Sequence, residues 1–175
     1  HTHVVLMGDP DQLPPVEAGP IFSDLCRLNS IPSVNLNIVK RTDIASLTRL
    51  AHFIREGQIE DVFSLLNDPN SKAQIKPLPA TPPIVSDEKS AIITPFKKGS
   101  FGTDACNNVH RHRLKSPIMI TQNDYKLSLM NGDIGLLEDG MVTFNQGERT
   151  KTYPLALLSH YTLAFAISIH KSQGS

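Results

Sequence analysis

Three short apolar runs, each followed by a polar loop that contains glycine, constrain the fold of this 175-residue chain more than any other feature. The runs cover residues 4–8, 91–94 and 162–169. Runs of this length that end in turn residues predict buried strands, and strands that alternate with helical segments predict an α/β fold. In such folds ligands bind at the carboxyl ends of the strands. The sequence therefore predicts an α/β domain that gathers a ligand at its strand ends.

Periodicity separates a helical part of the chain from a β-rich part. The clearest helical pattern covers residues 43–56, and further helices are predicted over 20–28, 59–66 and 103–114. From residue 117 the spacing changes to two, and the turns "MNGD", "EDG" and "NQGE" separate short strands. About 40 residues from residue 117 are therefore predicted to form a small β-barrel or meander. The proline-rich residues 67–90 are predicted to form a surface excursion or linker.

Composition limits the classes of partner. Lys and Arg together number 17, as do Asp and Glu, so the net charge is zero and only a local basic groove could bind nucleic acid. No apolar run approaches the roughly 18 residues of a membrane span, so no membrane contact is expected. Cys26 and Cys106 fit reduced thiols in a cytoplasmic protein, and no metal site is predicted. A start without methionine and an end inside a motif favour a fragment of a longer protein.

Two segments carry side chains that suit a nucleotide. Gly8 permits close backbone approach, and Gln12 has a neutral amide that can orient an attacking water or sense a phosphate. Asp9 can hold a water or pair with a lysine. Arg41, just before the 43–56 helix, can bind a phosphate or a carboxylate bidentately. Each segment is also typical of an ordinary turn or a solvated surface, so the residues alone leave both interpretations open.

Two other loops combine cations, hydroxyls and glycine in a way that suits a nucleic-acid backbone. In residues 94–102, Lys97 and Lys98 supply charge and Phe101 can pack or stack. In residues 168–175, Lys171 and Ser172 can bind phosphates together with backbone N–H groups. Polar loops at strand ends remain the alternative for both.

The order of these segments resembles that of the RecD family of superfamily 1 DNA helicases, which includes the alpha subunit of exodeoxyribonuclease V. The matching segments are "VVLMGDPDQLPPVEAG", "VKRTD", "IITPFKKGSFGTDACN", "IMITQNDYKLSLMNGDIG" and "AISIHKSQGS". "GDPDQLPPV" and "HKSQGS" are specific as a pair, and "MNGDIG" indicates the RecD-like branch. Only residues 67–90 carry no recognisable match.

The resemblance implies roles for individual residues. Gly8, Asp9 and Gln12 match the third helicase motif, in which Gln12 would sense the γ-phosphate of ATP. Arg41 matches the arginine that reaches the same phosphate across a cleft, so Gln12 and Arg41 are the predicted catalytic residues and all four are predicted to bind nucleotide.

The resemblance also implies a surface for single-stranded DNA. This surface is the fifth helicase motif, in which the family usually has threonine where Ser168 stands. The loop after residue 94 is added to it because of its own lysines and aromatic ring. The predicted DNA-binding residues are Thr94, Pro95, Lys97, Lys98, Phe101, Ser168, His170, Lys171, Ser172, Gln173 and Gly174.

The implied fold is a RecA-like P-loop NTPase-type domain with a small SH3-like β-barrel insertion. Residues 1–30 would end the first RecA-like domain, and 31–116 would begin the second. Residues 117–158 would form the barrel, and 159–175 the last strand and fifth motif.

The family's Walker A lysine and Walker B acidic pair, expected upstream, are absent from these residues. ATP and Mg²⁺ are therefore expected only in the intact protein, and the fragment alone is predicted to be inactive.

The resemblance predicts part of an ATP-dependent DNA helicase that couples hydrolysis to translocation on single-stranded DNA in double-strand break repair and recombination. Its expected partners are single-stranded DNA and the other exodeoxyribonuclease V subunits, in the cytoplasm. Two interpretations remain open: a stand-alone RecD-like or conjugative relaxase helicase, and a non-catalytic subunit that serves assembly only.

Overall fold

The computed structural model describes residues 3–14, 19–36, 44–87, 90–147 and 149–173, and divides into two units, His1–Pro77 and Leu78–Ser175. The described part of the first unit is helical, whereas the second unit contains two β-sheets. The mixed α/β class is therefore confirmed, while the predicted boundaries of the four segments stay a prediction. Within these residues, no helix is both long enough and apolar enough to cross a membrane.

Three helices form the described regular structure of the first unit: α1 (Ile21–Cys26), α2 (Ala45–Arg55) and α3 (Ile59–Asn67). They lie where the helical periodicity predicts them. Helix α2 is followed by Gly57, which has a φ of 69°. There Gln58 N–H donates to the carbonyl of Phe53 at 2.9 Å, so the last-turn carbonyls are paired and the chain can reverse. Helix α3 then packs on α2 and buries Leu65.

Residues 4–8 do not form the predicted strand. The side chains of this run are largely exposed, from 61% for Leu6 to 91% for Met7. A buried strand needs neighbours that pair with its backbone N–H and C=O groups, and the described residues of His1–Pro77 include no strand. The run therefore has the composition of a buried strand without the sheet that would bury it.

The second unit contains seven strands and two helices among its described residues. In chain order they are β1 (Ile92–Thr94), α4 (Thr103–Asn108), β2 (Ser116–Ile120), β3 (Ile134–Glu138), β4 (Met141–Gln146), β5 (Arg149–Pro154), β6 (Tyr161–Leu163), β7 (Ala166–Ser168) and α5 (Ile169–Ser172). A short 3-10 turn, Leu155–Leu157, links β5 to β6.

Strands β1 and β7 pair in parallel, whereas the other five form an antiparallel sheet in the order β5-β4-β3-β2-β6. The run 162–169 was predicted as one strand, and this is wrong. Tyr161–Leu163 pairs with β2, the chain turns at Ala164 and Phe165, and Ala166–Ser168 pairs with β1. The antiparallel sheet confirms the period-two pattern, and its likeness to an SH3 barrel stays a prediction.

Strand β2 is buried on both faces over Ile118–Ile120, which explains the apolar run with which it ends. Ile118 and Ile120 pack into a core with further residues of the antiparallel sheet: Leu129, Val142, Phe144 and Leu158. Met119 points the other way and packs against Ala164 and Ile167. Burial of each such side chain stabilises the fold by about 1.5–3 kcal/mol. Through Met119, β2 therefore contacts Ile167 of the parallel sheet as well as the core of its own sheet.

Helix α4 ends at Asn108, six residues before the end predicted from the sequence. The ring of His110 explains this early end, since its Nδ1 lies 2.8 Å from the carbonyl oxygen of Cys106 and caps the last turn. Its Nε2 accepts a hydrogen bond from Val85 N–H at 2.8 Å. His110 and Val85 are 1% and 6% exposed, so the 67–90 segment is not wholly the surface excursion predicted.

Candidate functional site

Two of the predicted loops leave the parallel sheet at the same edge. Strands β1 and β7 are in register with Thr94 opposite Ser168, so both strands end at the same level. The loop of residues 95–102 follows β1, and helix α5 follows β7. Because ligands of α/β folds bind at the carboxyl ends of parallel strands, this edge is the candidate site of the second unit.

The buried side chain of Thr94 makes two hydrogen bonds to the backbone of the 95–102 loop. Its hydroxyl donates to the carbonyl of Phe101 at 2.9 Å and accepts from Phe96 N–H at 3.3 Å. The side chain is only 6% exposed. Thr94 therefore shapes the predicted DNA-binding loop, while the exposed residues Pro95, Lys97 and Lys98 form its outer surface.

The first backbone N–H groups of α4 are already paired within this loop. Thr103 N–H donates to the carbonyl of Phe96 at 3.0 Å, and Asp104 N–H donates to that of Lys97 at 3.1 Å. A Cβ atom at Gly102 would lie 2.5 Å from the same Lys97 oxygen, so only glycine allows this approach. The N–H groups at the start of α4 are thus bonded to carbonyl groups of the loop. An anion at this edge would therefore be attracted by the lysine side chains and not by the helix start.

The aromatic ring that is open to solvent in this loop is Phe96, which is 64% exposed. Phe101, which the sequence singles out, is half-buried. The sequence contains a signal for the exposed ring, since Phe96 directly precedes the two lysines in "TPFKKG". An aromatic ring beside lysines can stack on a base while the cations contact the backbone.

Helix α5 follows β7 and provides the other residues at this edge of the parallel sheet. Ser168 caps it by accepting a hydrogen bond from Lys171 N–H at 3.4 Å, and the Ser172 hydroxyl donates to the carbonyl of Ile169 at 2.7 Å. Lys171 Nζ donates to Asn131 Oδ1 at 2.6 Å. His170 and Gln173 are exposed, and Gly174 lies outside the described residues.

Asn107 connects α4 to β7. Its side-chain amide donates to the carbonyl of Ala166 at 2.9 Å and accepts from Ala166 N–H at 2.8 Å. The amide therefore pairs with β7 as a neighbouring strand would, on the side away from β1. This arrangement fixes the strand that leads into α5.

A buried cluster beside α4 packs against the residue that precedes β7. The His110 ring stacks on Phe165 with 4.5 Å between ring centroids, and Arg113 Nη1 donates to the carbonyl of Val85 at 2.6 Å. Cys106 is fully buried, and this burial raises the pKa of its thiol. The cysteine is therefore a structural group, since a reactive thiol needs a lowered pKa and access to solvent.

The third predicted loop lies in the first unit. Asp9 accepts from Asp11 N–H at 3.0 Å through one carboxylate oxygen and from Gln12 Nε2 at 3.2 Å through the other. The Gln12 amide is thus oriented by Asp9 on an exposed turn. Gly8 lies so close to the Phe22 ring that a Cβ atom there would lie 3.0 Å from it. Its missing side chain accommodates that ring.

The remaining predicted nucleotide residue, Arg41, lies outside the described residues. Among those that are described, no three His, Cys, Asp or Glu side chains form a group that could hold a metal ion. The 175 residues also contain no G-x-x-x-x-G-K-[ST] segment.

Comparisons with known proteins find sequence matches in both units. The AAA domain family matches residues 1–74. The chain is 30% identical over 218 residues to the RecBCD enzyme subunit RecD of Mycolicibacterium smegmatis. This alignment covers 99% of this chain and 38% of that protein. It is 26% identical to the ATP-dependent RecD2 DNA helicase of Deinococcus radiodurans, over 98% of this chain and 27% of that protein. The chain thus spans well under half the length of either relative.

Among solved structures, the Pif1 helicase from Bacteroides in complex with ADP-AlF3 and ssDNA aligns with 81% of this chain and 43% of that chain. The sequence identity is 20% and the TM-score is 0.45.

Proposed function

We infer that this chain, whose resemblance to the RecD family is confirmed over nearly its whole length, forms part of the ATP-driven motor of a DNA helicase. One of these relatives is named as a RecBCD subunit and the other as an ATP-dependent DNA helicase. Because the chain spans 38% of the first and 27% of the second, the activity proposed is that of the longer protein to which this part would contribute.

The observation that carries the proposal is the register of β1 and β7, with Thr94 opposite Ser168. It sets the exposed cations Lys97 and Lys98 at the same edge as helix α5. We propose that single-stranded DNA lies along this edge, with its phosphates near the lysines and a base against Phe96. The exposed side chains of His170 and Gln173 would provide polar contacts from α5.

The nucleotide would bind to the first unit. The Gln12 amide, oriented by Asp9, suits a group that senses a phosphate without adding charge. Arg41 is proposed as a second phosphate contact. In the intact protein, ATP would bring Mg²⁺, which neutralises charge on the phosphates, and residues outside this chain would hold both. The chain alone is therefore expected not to hydrolyse ATP.

The cellular role that fits best is a cytoplasmic one in double-strand break repair and recombination, with the other exodeoxyribonuclease V subunits as partners. This part of the proposal rests on the RecD name of the mycobacterial relative. A stand-alone helicase would keep the same motor but lack those partner subunits.

The test is ATP hydrolysis by the full-length protein, with and without single-stranded DNA. Gln12→Ala and Arg41→Ala should each lower the DNA-stimulated rate by about a hundredfold while DNA binding is retained. Lys97→Ala with Lys98→Ala should instead raise the DNA concentration needed for half-maximal rate and reduce its salt dependence. Lys76→Ala, which changes an exposed lysine of the other unit, is the matched control.

Unchanged hydrolysis in both Gln12→Ala and Arg41→Ala would refute the nucleotide assignment. A folded full-length protein without any hydrolysis would refute the motor, and a subunit that serves assembly would then be the better description.

A further inference from the structure

A charge-assisted hydrogen bond joins α5 to the antiparallel sheet. Lys171 Nζ donates to Asn131 Oδ1 at 2.6 Å, although the two residues are 40 positions apart. Asn131 lies in the "MNGD" turn between β2 and β3, whereas Lys171 belongs to the short helix that leaves the parallel sheet. The bond therefore links the two sheets at the candidate DNA edge, in addition to their packing through Met119.

The turn that carries Asn131 is held by several bonds to the sheet. Asn131 N–H donates to Asn123 Oδ1 at 2.8 Å, and Met130 N–H donates to Asp133 Oδ2 at 2.9 Å. Gln146 of β4 donates to the same Asp133 oxygen at 3.1 Å. Because these bonds fix the backbone of the turn, the side chain of Asn131 starts from a defined position.

The lysine lies on a short helix. Helix α5 comprises only four residues, and the lysine side chain has four rotatable carbon–carbon bonds that must be ordered before it can act at a defined point. Since Asn131 is neutral, its amide oxygen orients the ammonium group without adding a negative charge beside it. Such an acceptor suits a lysine whose positive charge is needed for a phosphate.

We propose that Asn131 is a positioning residue for Lys171, which it holds for contact with a phosphate of single-stranded DNA. The same bond ties the "MNGD" turn of the antiparallel sheet to α5. This rests on the proposed DNA contact of α5, but the bond itself can be tested without DNA.

The first test measures DNA-stimulated ATP hydrolysis by the full-length protein. Asn131→Ala should raise the concentration of an unlabelled oligonucleotide needed for half-maximal rate by about fivefold, the size expected for one exposed charge-assisted hydrogen bond. The matched control is Asn145→Ala on β4, which also removes an exposed asparagine, bonded to Thr150 at 3.2 Å, from the same sheet. This control should leave the half-saturating concentration unchanged.

A double-mutant cycle then shows whether the two residues act as a pair. In a Lys171→Ala background, Asn131→Ala should have no further effect on the DNA dependence. Additive effects of the two changes, or an equal effect of Asn145→Ala, would overturn the positioning role.

The second test needs no DNA. The rate of Lys171 acetylation by acetic anhydride, followed by peptide mass spectrometry, should rise about fivefold in Asn131→Ala relative to Lys97 in the same sample. An unchanged rate would overturn the proposal. A raised rate in a protein whose hydrolysis does not respond to DNA would leave the positioning intact and refute the proposed function instead.

Discussion

Replacement of Asn107 by alanine should loosen β7, the strand that leads into the candidate DNA edge. The Asn107 amide makes two hydrogen bonds to the backbone of Ala166, at 2.8 and 2.9 Å. In Asn107→Ala, the N–H and C=O groups of Ala166 both lose their partners. Ala166 is only 2% exposed, so water does not readily take the place of the amide.

The size of the effect follows from these two bonds. A net hydrogen bond contributes about 0.5–1.5 kcal/mol, and a buried group left unpaired costs about 1–3 kcal/mol. The free energy of local opening at β7 should therefore fall by about 2–4 kcal/mol, which is less than the sum of the upper limits because the site can relax. A fall of this size accelerates exchange through the open state by about 30- to 1,000-fold.

The assay is amide hydrogen exchange at Ala166 in the 175-residue chain. Asn108→Ala is the matched control, since Asn108 occupies the next position of α4 and its side chain accepts a hydrogen bond from Arg111 Nη1 at 3.4 Å instead of bonding to β7. Both substitutions change helix propensity equally, so their difference isolates the bonds to β7. Equal exchange rates at Ala166 in the two variants would refute the reasoning.

Two further predictions concern the surroundings of α4. Gly102→Ala should lower the free energy of unfolding by about 1–3 kcal/mol in urea denaturation, because its Cβ would lie 2.5 Å from the Lys97 oxygen; an unchanged midpoint would contradict this. Burial raises the pKa of Cys106, so its contribution to stability is complete below the ordinary thiol pKa and is lost as pH rises through the raised value. Cys106→Ala should therefore reduce the loss of unfolding free energy at alkaline pH. In the native protein, iodoacetamide should label exposed Cys26 well before buried Cys106, and equal labelling rates would count against this.

Local patterns determined much of the secondary structure. Helices α2 and α3 lie where apolar residues recur at helical spacing, and a glycine at φ 69° follows α2. The antiparallel strands follow the alternating pattern, and turns with Gly132, Gly140 and Gly147 at positive φ separate them. These features depend on residues close together in the chain, so a single sequence contains the information for them. The family resemblance likewise rests on short motifs that the sequence shows directly.

Pairing between distant residues was decided only by the tertiary structure. The apolar run 162–169 resembles one strand, yet it divides at Ala164 and Phe165 because its two halves face different sheets. Residues 4–8 have the composition of a strand but no described strand beside them in their unit. A strand forms where another segment takes up its hydrogen bonds, and that partner is not specified by the strand's own residues.

The same distinction applies to the candidate site. The sequence by itself identified the loops at residues 8–14, 94–102 and 168–175 through their glycine, hydroxyl and charged residues. Only the fold showed that Thr94 and Asn107 act inside the structure and that Asn131 contacts Lys171. Composition shows which chemical groups a loop carries, whereas their direction and partners depend on contacts between segments far apart in the chain.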